Sequence, residues 1–270
     1  MKRAAVLGSP IKHSLSPAIH NAAYRKLGID AMYEANEVDS QSLHSFLTDR
    51  LKEIEWFGFS LTMPLKERIC DISQSLGISM DDQSARISSV NTLYRGENGW
   101  KGTSTDVSGF TFLLKDYKFS SATIIGAGGT ARAAIEALDK ECLINVVRRD
   151  AKREKEIREA FPDRLISFKQ WGDYENLWSD PLVLLAVPIE ATSELESSFS
   201  APEVLVDALY SPWMPPLSRL QSRAGRKLIS GIDLLCAQAL DQIRLMTTVS
   251  FDDDELFTFL KSVAEKALPR

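Results

Sequence analysis

The chain of 270 residues is poor in the features that mark several protein classes. Cysteine occurs only three times, at Cys70, Cys142 and Cys236, widely spaced and without a C-x-x-C pair. An odd, scattered set of thiols argues against a disulfide framework and against a structural zinc site. Histidine is equally scarce. His13, His20 and His44 form no H-x-x-x-H pair, so no metal site is expected. No apolar stretch approaches the roughly 20 residues of a membrane helix. The N-terminal run Ala4 to Leu7 stops at Gly8, too short for a secretion signal. Positive charge does not dominate either: 32 Lys and Arg face 37 Asp and Glu, a net charge of -5. That balance is wrong for a general nucleic-acid binder. The expectation is a cytoplasmic protein with no nucleic-acid or membrane partner, long enough for two domains.

What is present is a regular alternation of apolar runs and helical patterns. Strands are expected at Ala4 to Leu7, Met32 to Val38 and Phe57 to Leu61. Helices are expected from Ser16, with Ser16 as N-cap and Pro17 in the first turn, to Leu27 before Gly28. Two more follow at Leu43 to Leu51 and from Pro64 through Ile72. Val90 to Tyr94, a Gly96 to Gly99 turn and Trp100 to Gly102 read as a hairpin. Thr105 and Asp106 are placed to cap a helix from Val107 to Leu114. A second unit starts with a strand at Ala122 to Ile125. It continues with a helix at Thr130 to Leu138, a strand at Leu143 to Val147 and a charged helix at Ala151 to Ala160. Strand-like runs recur at Leu182 to Val187, Val204 to Asp207 and Lys227 to Ile229. Long helices at Ile232 to Met246 and Asp253 to Ala267 close the chain, the second with its acidic run Asp252 to Glu255 at the N-terminus, where negative charge is favoured. Trp56, Phe57 and Phe59 read as core. The fold class is α/β in two domains, each with a mainly parallel sheet. The boundaries are 1–105 with 232–270, and 106–231.

Between the Ala122 strand and the alanine-rich helix lies Gly126-Ala127-Gly128-Gly129-Thr130-Ala131. Gly126, Gly128 and Ala131 fit G-x-G-x-x-A, in which glycine permits a tight turn and close approach of the backbone to a pyrophosphate. The end of the next strand selects the dinucleotide. NAD enzymes place a carboxylate there for the ribose 2′-OH. This chain offers Arg148-Arg149-Asp150-Ala151-Lys152-Arg153. Planar guanidiniums at Arg148, Arg149 and Arg153 suit a 2′-phosphate, so NADP(H) is the expected cofactor. Asp150 is the dissenting charge and reads as a helix cap.

The chain also carries G-S-P-I-K-H-S-L-S-P from Gly8, S-L-T-M-P-L-K from Ser60, V-N-T from Val90, S-T-D from Ser104, D-A-L-Y-S-P from Asp207, and Gln238 after Gly231. In this order the sequence resembles the shikimate dehydrogenase family, in particular its actinobacterial type. The resemblance implies a substrate domain and a Rossmann-type NADP domain with a cleft between them. It implies the NADPH-dependent, reversible reduction of 3-dehydroshikimate to shikimate. By motif, Ser14 and Ser16 take the substrate carboxylate. Thr62, Lys66, Asn91, Asp106 and Gln238 take the ring hydroxyls, and Tyr210 also reaches the substrate. Lys66 and Asp106 form the catalytic pair. The glycine turn, Arg148, Arg149, Arg153, Val187 and Gly231 border the cofactor. The expected partner is a small-molecule substrate, and the expected state a monomer or homodimer. Hydride delivery to a ketone builds negative charge on oxygen, and Lys66 supplies a proton or positive charge there. His13 reads as a structural hydrogen-bond donor.

Several positions depart from the family pattern. Ser60 and Ser104 stand for asparagines, Ser88-Ser89 for Gly-Ala, Leu185 and Val187 for Asn and Thr, Pro215 for threonine and Leu234 for methionine. Met246-Thr247-Thr248 takes the place of W-T-G. Two alternatives stand beside the leading reading: a quinate/shikimate dehydrogenase using NAD, and a non-catalytic dinucleotide or metabolite sensor on the same scaffold.

Overall fold

The computed structural model describes residues 1–268. The chain divides into two compact units, one formed by residues 1–109 and the chain from Leu235 onward, the other by Phe110–Leu234.

The first unit is built on a six-stranded mixed sheet. Its strands are β1 (Lys2–Gly8), β2 (Ala31–Glu37), β3 (Trp56–Leu61), β4 (Ser79–Met80), β5 (Thr92–Gly96) and β6 (Gly99–Thr103), in the order β2-β1-β3-β5-β6-β4. The pairings of β1 with β2 and β3, and of β4 with β6, are parallel. Those of β5 with β3 and β6 are antiparallel. Central β1 is buried from Ala4 through Leu7, which is why it reads as a continuous apolar run and not as an alternating one. Its helices are α1 (Ser16–Leu27), α2 (Leu43–Arg50), α3 (Leu65–Ile72), α4 (Asp82–Arg86) and α11 (Asp253–Ala267), with α5 (Thr105–Leu114) and α10 (Gly231–Thr247) each running across a boundary between the units. One apolar core joins Leu7, Leu43, Leu47, Trp56, Phe59, Leu65 and Ile69. Gly58 lets α10 close onto the sheet, since a Cβ there would fall 2.4 Å from the Met246 side chain.

Ser16 is not the N-cap of α1. Leu15 holds that place, and the Ser14 hydroxyl accepts from the Ser16 N–H at 3.3 Å. Pro17 sits in the first turn and Gly28 ends the helix in the left-handed conformation, both as the sequence predicts. Asp252 caps α11, accepting from the Glu255 N–H at 2.8 Å.

His20 on α1 is wholly buried and stacked on Tyr33, ring centroids 3.9 Å apart. Nδ1–H donates to the Ser16 carbonyl at 2.9 Å. Desolvation lowers the imidazole pKa to about 4, opposed only in part by that carbonyl and by Gln242. The unfolded chain, near 6.5, therefore binds the proton more readily than the folded one between pH 4 and 6.5. Stability rises with pH across that window, by about 3 kcal/mol from this group. Urea midpoints should fall between pH 7 and 4.5, and His20→Phe, which keeps the stack, should flatten the fall. An unchanged slope would remove His20 as its source.

The second unit holds a six-stranded sheet in which every pairing is parallel. Its strands are β7 (Ser121–Ile125), β8 (Leu143–Arg148), β9 (Ile166–Gln170), β10 (Leu182–Leu185), β11 (Val204–Asp207) and β12 (Lys227–Ile229), ordered β12-β11-β10-β7-β8-β9. Its helices are α6 (Gly129–Ala137), α7 (Lys152–Ala160), α8 (Ile189–Glu196) and α9 (Pro216–Arg223). Read from β9, the order is 3-2-1-4-5-6, the doubly wound arrangement that binds dinucleotides where the order reverses. That reversal lies between β7 and β10. Strand β9 and helices α4, α8 and α9 were not among the sequence expectations.

Candidate active site

In the first unit, Lys66 stands in the first turn of α3 and Asp106 in the first turn of α5. Lys66 Nζ meets Asp106 Oδ2 at 2.5 Å. The carboxylate is 1 % exposed and the lysine 18 %, so the pair is buried at its acidic end and reachable at its basic end. Asn91 holds the other carboxylate oxygen: Nδ2 donates to Asp106 Oδ1 at 3.0 Å and to Gln238 Oε1 at 2.7 Å. The backbone of Asn91 is itself fixed, its N–H on Thr103 O at 3.2 Å and its carbonyl accepting from Leu61 N at 2.7 Å. Val90 N–H donates to Lys66 O at 2.9 Å, tying α3 to the same segment. Lys66, Asn91, Asp106 and Gln238 are thus one connected group, although 147 residues separate Asn91 from Gln238.

The two serine-bearing and threonine-bearing motifs also meet. A Cβ on Gly8 would fall 2.3 Å from the Thr62 methyl, so only glycine admits this approach. Ser9 N–H donates to Met63 O at 3.0 Å and Thr62 N–H to Leu7 O at 2.9 Å. Ser14 is half-buried and Ser16 buried beyond that junction. Tyr210 is half-buried in the second unit, past the end of β11.

In the second unit the glycine turn leaves β7 at the switch point. Gly126 has φ +119°, and a Cβ there would fall 2.4 Å from Ala186 O. Gly128 is the N-cap of α6 and Ala131 is fully buried against the sheet side. The first N–H groups of α6, at Gly129 and Thr130, have the polarity that suits a phosphate. Val187 follows Ala186 at the end of β10 and lies beside Gly126. Gly231 opens α10, where a Cβ would fall 2.4 Å from Leu209 O.

The basic cluster is unequal. Arg148 is 14 % exposed, pairs with Glu154 at 2.8 Å and donates to Gln170 Oε1. Arg149 is 54 % exposed, 4.3 Å above the Trp171 ring and 3.7 Å from Glu194. Arg153 pairs with Glu156 at 2.8 Å. Asp150 accepts from Lys152 N–H at 2.9 Å, but it is not the cap expected from the sequence: Ala151 holds the N-cap of α7. Arg132 was not singled out from sequence, yet it is 2 % exposed and pairs with Glu156 at 3.4 Å while donating to Ala127 O in the glycine turn.

Residues 6–93 match the shikimate dehydrogenase substrate binding domain. A shikimate dehydrogenase of Sulfurisphaera tokodaii is 30% identical over 94% of this chain and 93% of its own length. The chain belongs to the shikimate dehydrogenase family. A shikimate dehydrogenase (NADP(+)) of Microcystis aeruginosa is 32% identical over 86% of this chain and 87% of its own. The crystal structure of Mycobacterium tuberculosis shikimate dehydrogenase superposes with a TM-score of 0.85 at 30% identity, covering 97% of this chain and 99% of that one. The Thermus thermophilus enzyme, solved in complex with NADP(H) and shikimate, gives 0.82 at 30% identity, covering 99% and 100%.

Against the shikimate dehydrogenase pattern, the serine substitutions have visible structural effects. Ser60 is buried and accepts from Tyr33 Oη at 2.6 Å. Ser88, at a glycine position of the family, takes φ +47°. The Ser89 and Ser104 hydroxyls are buried without hydrogen-bond partners. Among the described residues no group of His, Cys, Asp and Glu is placed to hold a metal ion. Nor is any described helix long and apolar enough to cross a membrane. Cys70, Cys142 and Cys236 are free thiols.

Proposed function

We propose that the protein catalyses the reversible, NADPH-dependent reduction of 3-dehydroshikimate to shikimate, a step toward the aromatic amino acids. The observation that carries this reading is the Lys66–Asp106 pair, anchored by Asn91 and reachable at the lysine. The first unit takes the substrate. Ser14 and Ser16 receive its carboxylate, and Thr62, Asn91, Gln238, Lys66 and Asp106 its hydroxyls. Lys66 Nζ holds a proton against the carbonyl oxygen as that oxygen gains negative charge. Asp106 fixes the ammonium through Oδ2 and is itself fixed through Oδ1.

The second unit takes the dinucleotide. The Gly126 turn, pressed under Ala186 where no Cβ fits, and the first-turn N–H groups of α6 make a cradle suited to a pyrophosphate. When bound, NADP(H) supplies or accepts the hydride. Arg148 already faces Glu154, so Arg149 is the more exposed cation for a 2′-phosphate. Three free thiols accord with a cytoplasmic enzyme.

Initial rates followed at the NADPH absorbance test the reading, with shikimate and quinate each offered with NADP+ and NAD+. Turnover confined to shikimate with NADP+ is the expected result. Preference for quinate or NAD+ would move the protein to the catabolic relatives. Tight cofactor binding without turnover on any pair would make it a sensor.

A further inference from the structure

The carboxamide of Asn91 has only one consistent orientation. Its Oδ1 accepts from the backbone N–H of Thr105 at 2.6 Å, and a backbone N–H can only donate. Nδ2 therefore faces Asp106 Oδ1 and Gln238 Oε1, and both its protons are used. Gln238 must answer with its carbonyl, which turns its own NH2 away from Asn91. A second donor enforces the same choice. Gln242, one turn farther along α10 and 3 % exposed, sends Nε2 to Gln238 Oε1 at 3.4 Å and to Thr105 Oγ1 at 3.3 Å. Gly109 packs closely on the Gln238 backbone, since a Cβ there would lie 3.0 Å from Gln238 N. A flipped Gln238 would set its NH2 against the NH2 groups of Asn91 and Gln242, costing each of them the bond to Gln238 Oε1.

We propose that Gln242 is a positioning residue, which locks the Gln238 carboxamide with its NH2 presented to the substrate, so that this position recognises an oxygen acceptor. The role rests on Gln238 being a substrate ligand. Gln242 itself touches neither substrate nor cofactor in this reading. It acts through Gln238, and through Thr105 on Asn91.

The test uses the full chain and four variants. Gln242→Met keeps the volume and removes the donor. It should raise KM for shikimate about tenfold, with KM for NADP+ unchanged within about twofold. Gln242→Glu offers acceptors where a donor is needed and should raise KM for shikimate further. In a Gln238→Ala background, Gln242→Met should add less than about a further twofold, because the group it orients is gone. An unchanged KM for shikimate in Gln242→Met would overturn the proposal. So would an undiminished penalty in the Gln238→Ala background, which would assign Gln242 to packing alone. If Gln242→Glu does not fold, Gln242→Met and the double variant decide the matter. Wild-type protein inactive on shikimate would show in the first arm, and would end the functional reading and this role together.

Discussion

Lys66→Ala should lower kcat for shikimate oxidation by about three orders of magnitude and leave the affinity for NADP+ unchanged. The size follows from what one positioned proton donor contributes, typically about a hundredfold to ten-thousandfold. It also follows from where the residue stands. The ammonium is held by a carboxylate that is itself buried and held by Asn91, so its position costs no reorganisation when charge develops on the substrate oxygen. The affinity for NADP+ is the control, because the glycine turn and its basic neighbours belong to the other compact unit. Lys66→Arg is a second check. Arginine keeps the charge but does not release a proton at neutral pH, so a rescued KM with a depressed kcat would separate binding from proton transfer. Full turnover in Lys66→Ala would remove the residue from the mechanism.

Gly126→Val should abolish useful cofactor binding, raising Kd for NADP+ by about a hundredfold or more while thermal unfolding of the first unit is preserved. Two costs add. A β-branched residue at φ +119° lies outside the regions open to L-residues, and its Cβ would fall 2.4 Å from Ala186 O. Relief requires the turn to move from the end of β10. That movement would withdraw the α6 N-terminus from the phosphates. Calorimetric titration with NADP+ reads the loss directly, and binding at the wild-type level would show that the turn is structural and holds no pyrophosphate.

The elements that were legible from the sequence share a reason. Where a short-range rule decides the conformation, the residues announce it: Pro17 and Gly28 around α1, the acidic start of α11, and the glycine turn between an apolar strand and an alanine-rich helix. Strand β9 was missed because it is an edge strand, half-buried and exposed in turn, with no apolar run. Helices α8 and α9 start at Pro188 and at Pro215-Pro216, punctuation that reads as loop until the turns behind it are seen to pack. The site residues were legible as a family pattern and the chemistry of each type, but their partners were not. Sequence shows Arg148 as a free cation, while the fold gives it to Glu154 six residues on. It shows Gln242 one turn after Gln238, but only the fold brings Thr105 to its amide.

The bond between Asn91 and Gln238 also carries a timetable. Its two ends leave the ribosome 147 residues apart, and everything in the second unit is synthesised between them. The part of the first unit that presents Lys66, Asn91 and Asp106 is translated first but lacks α10, the helix that closes over Gly58 and supplies Gln238. The second unit, contiguous in the chain, ends at Leu234 within the first turn of α10. The substrate site therefore lacks Gln238 until the whole of the second unit has been synthesised.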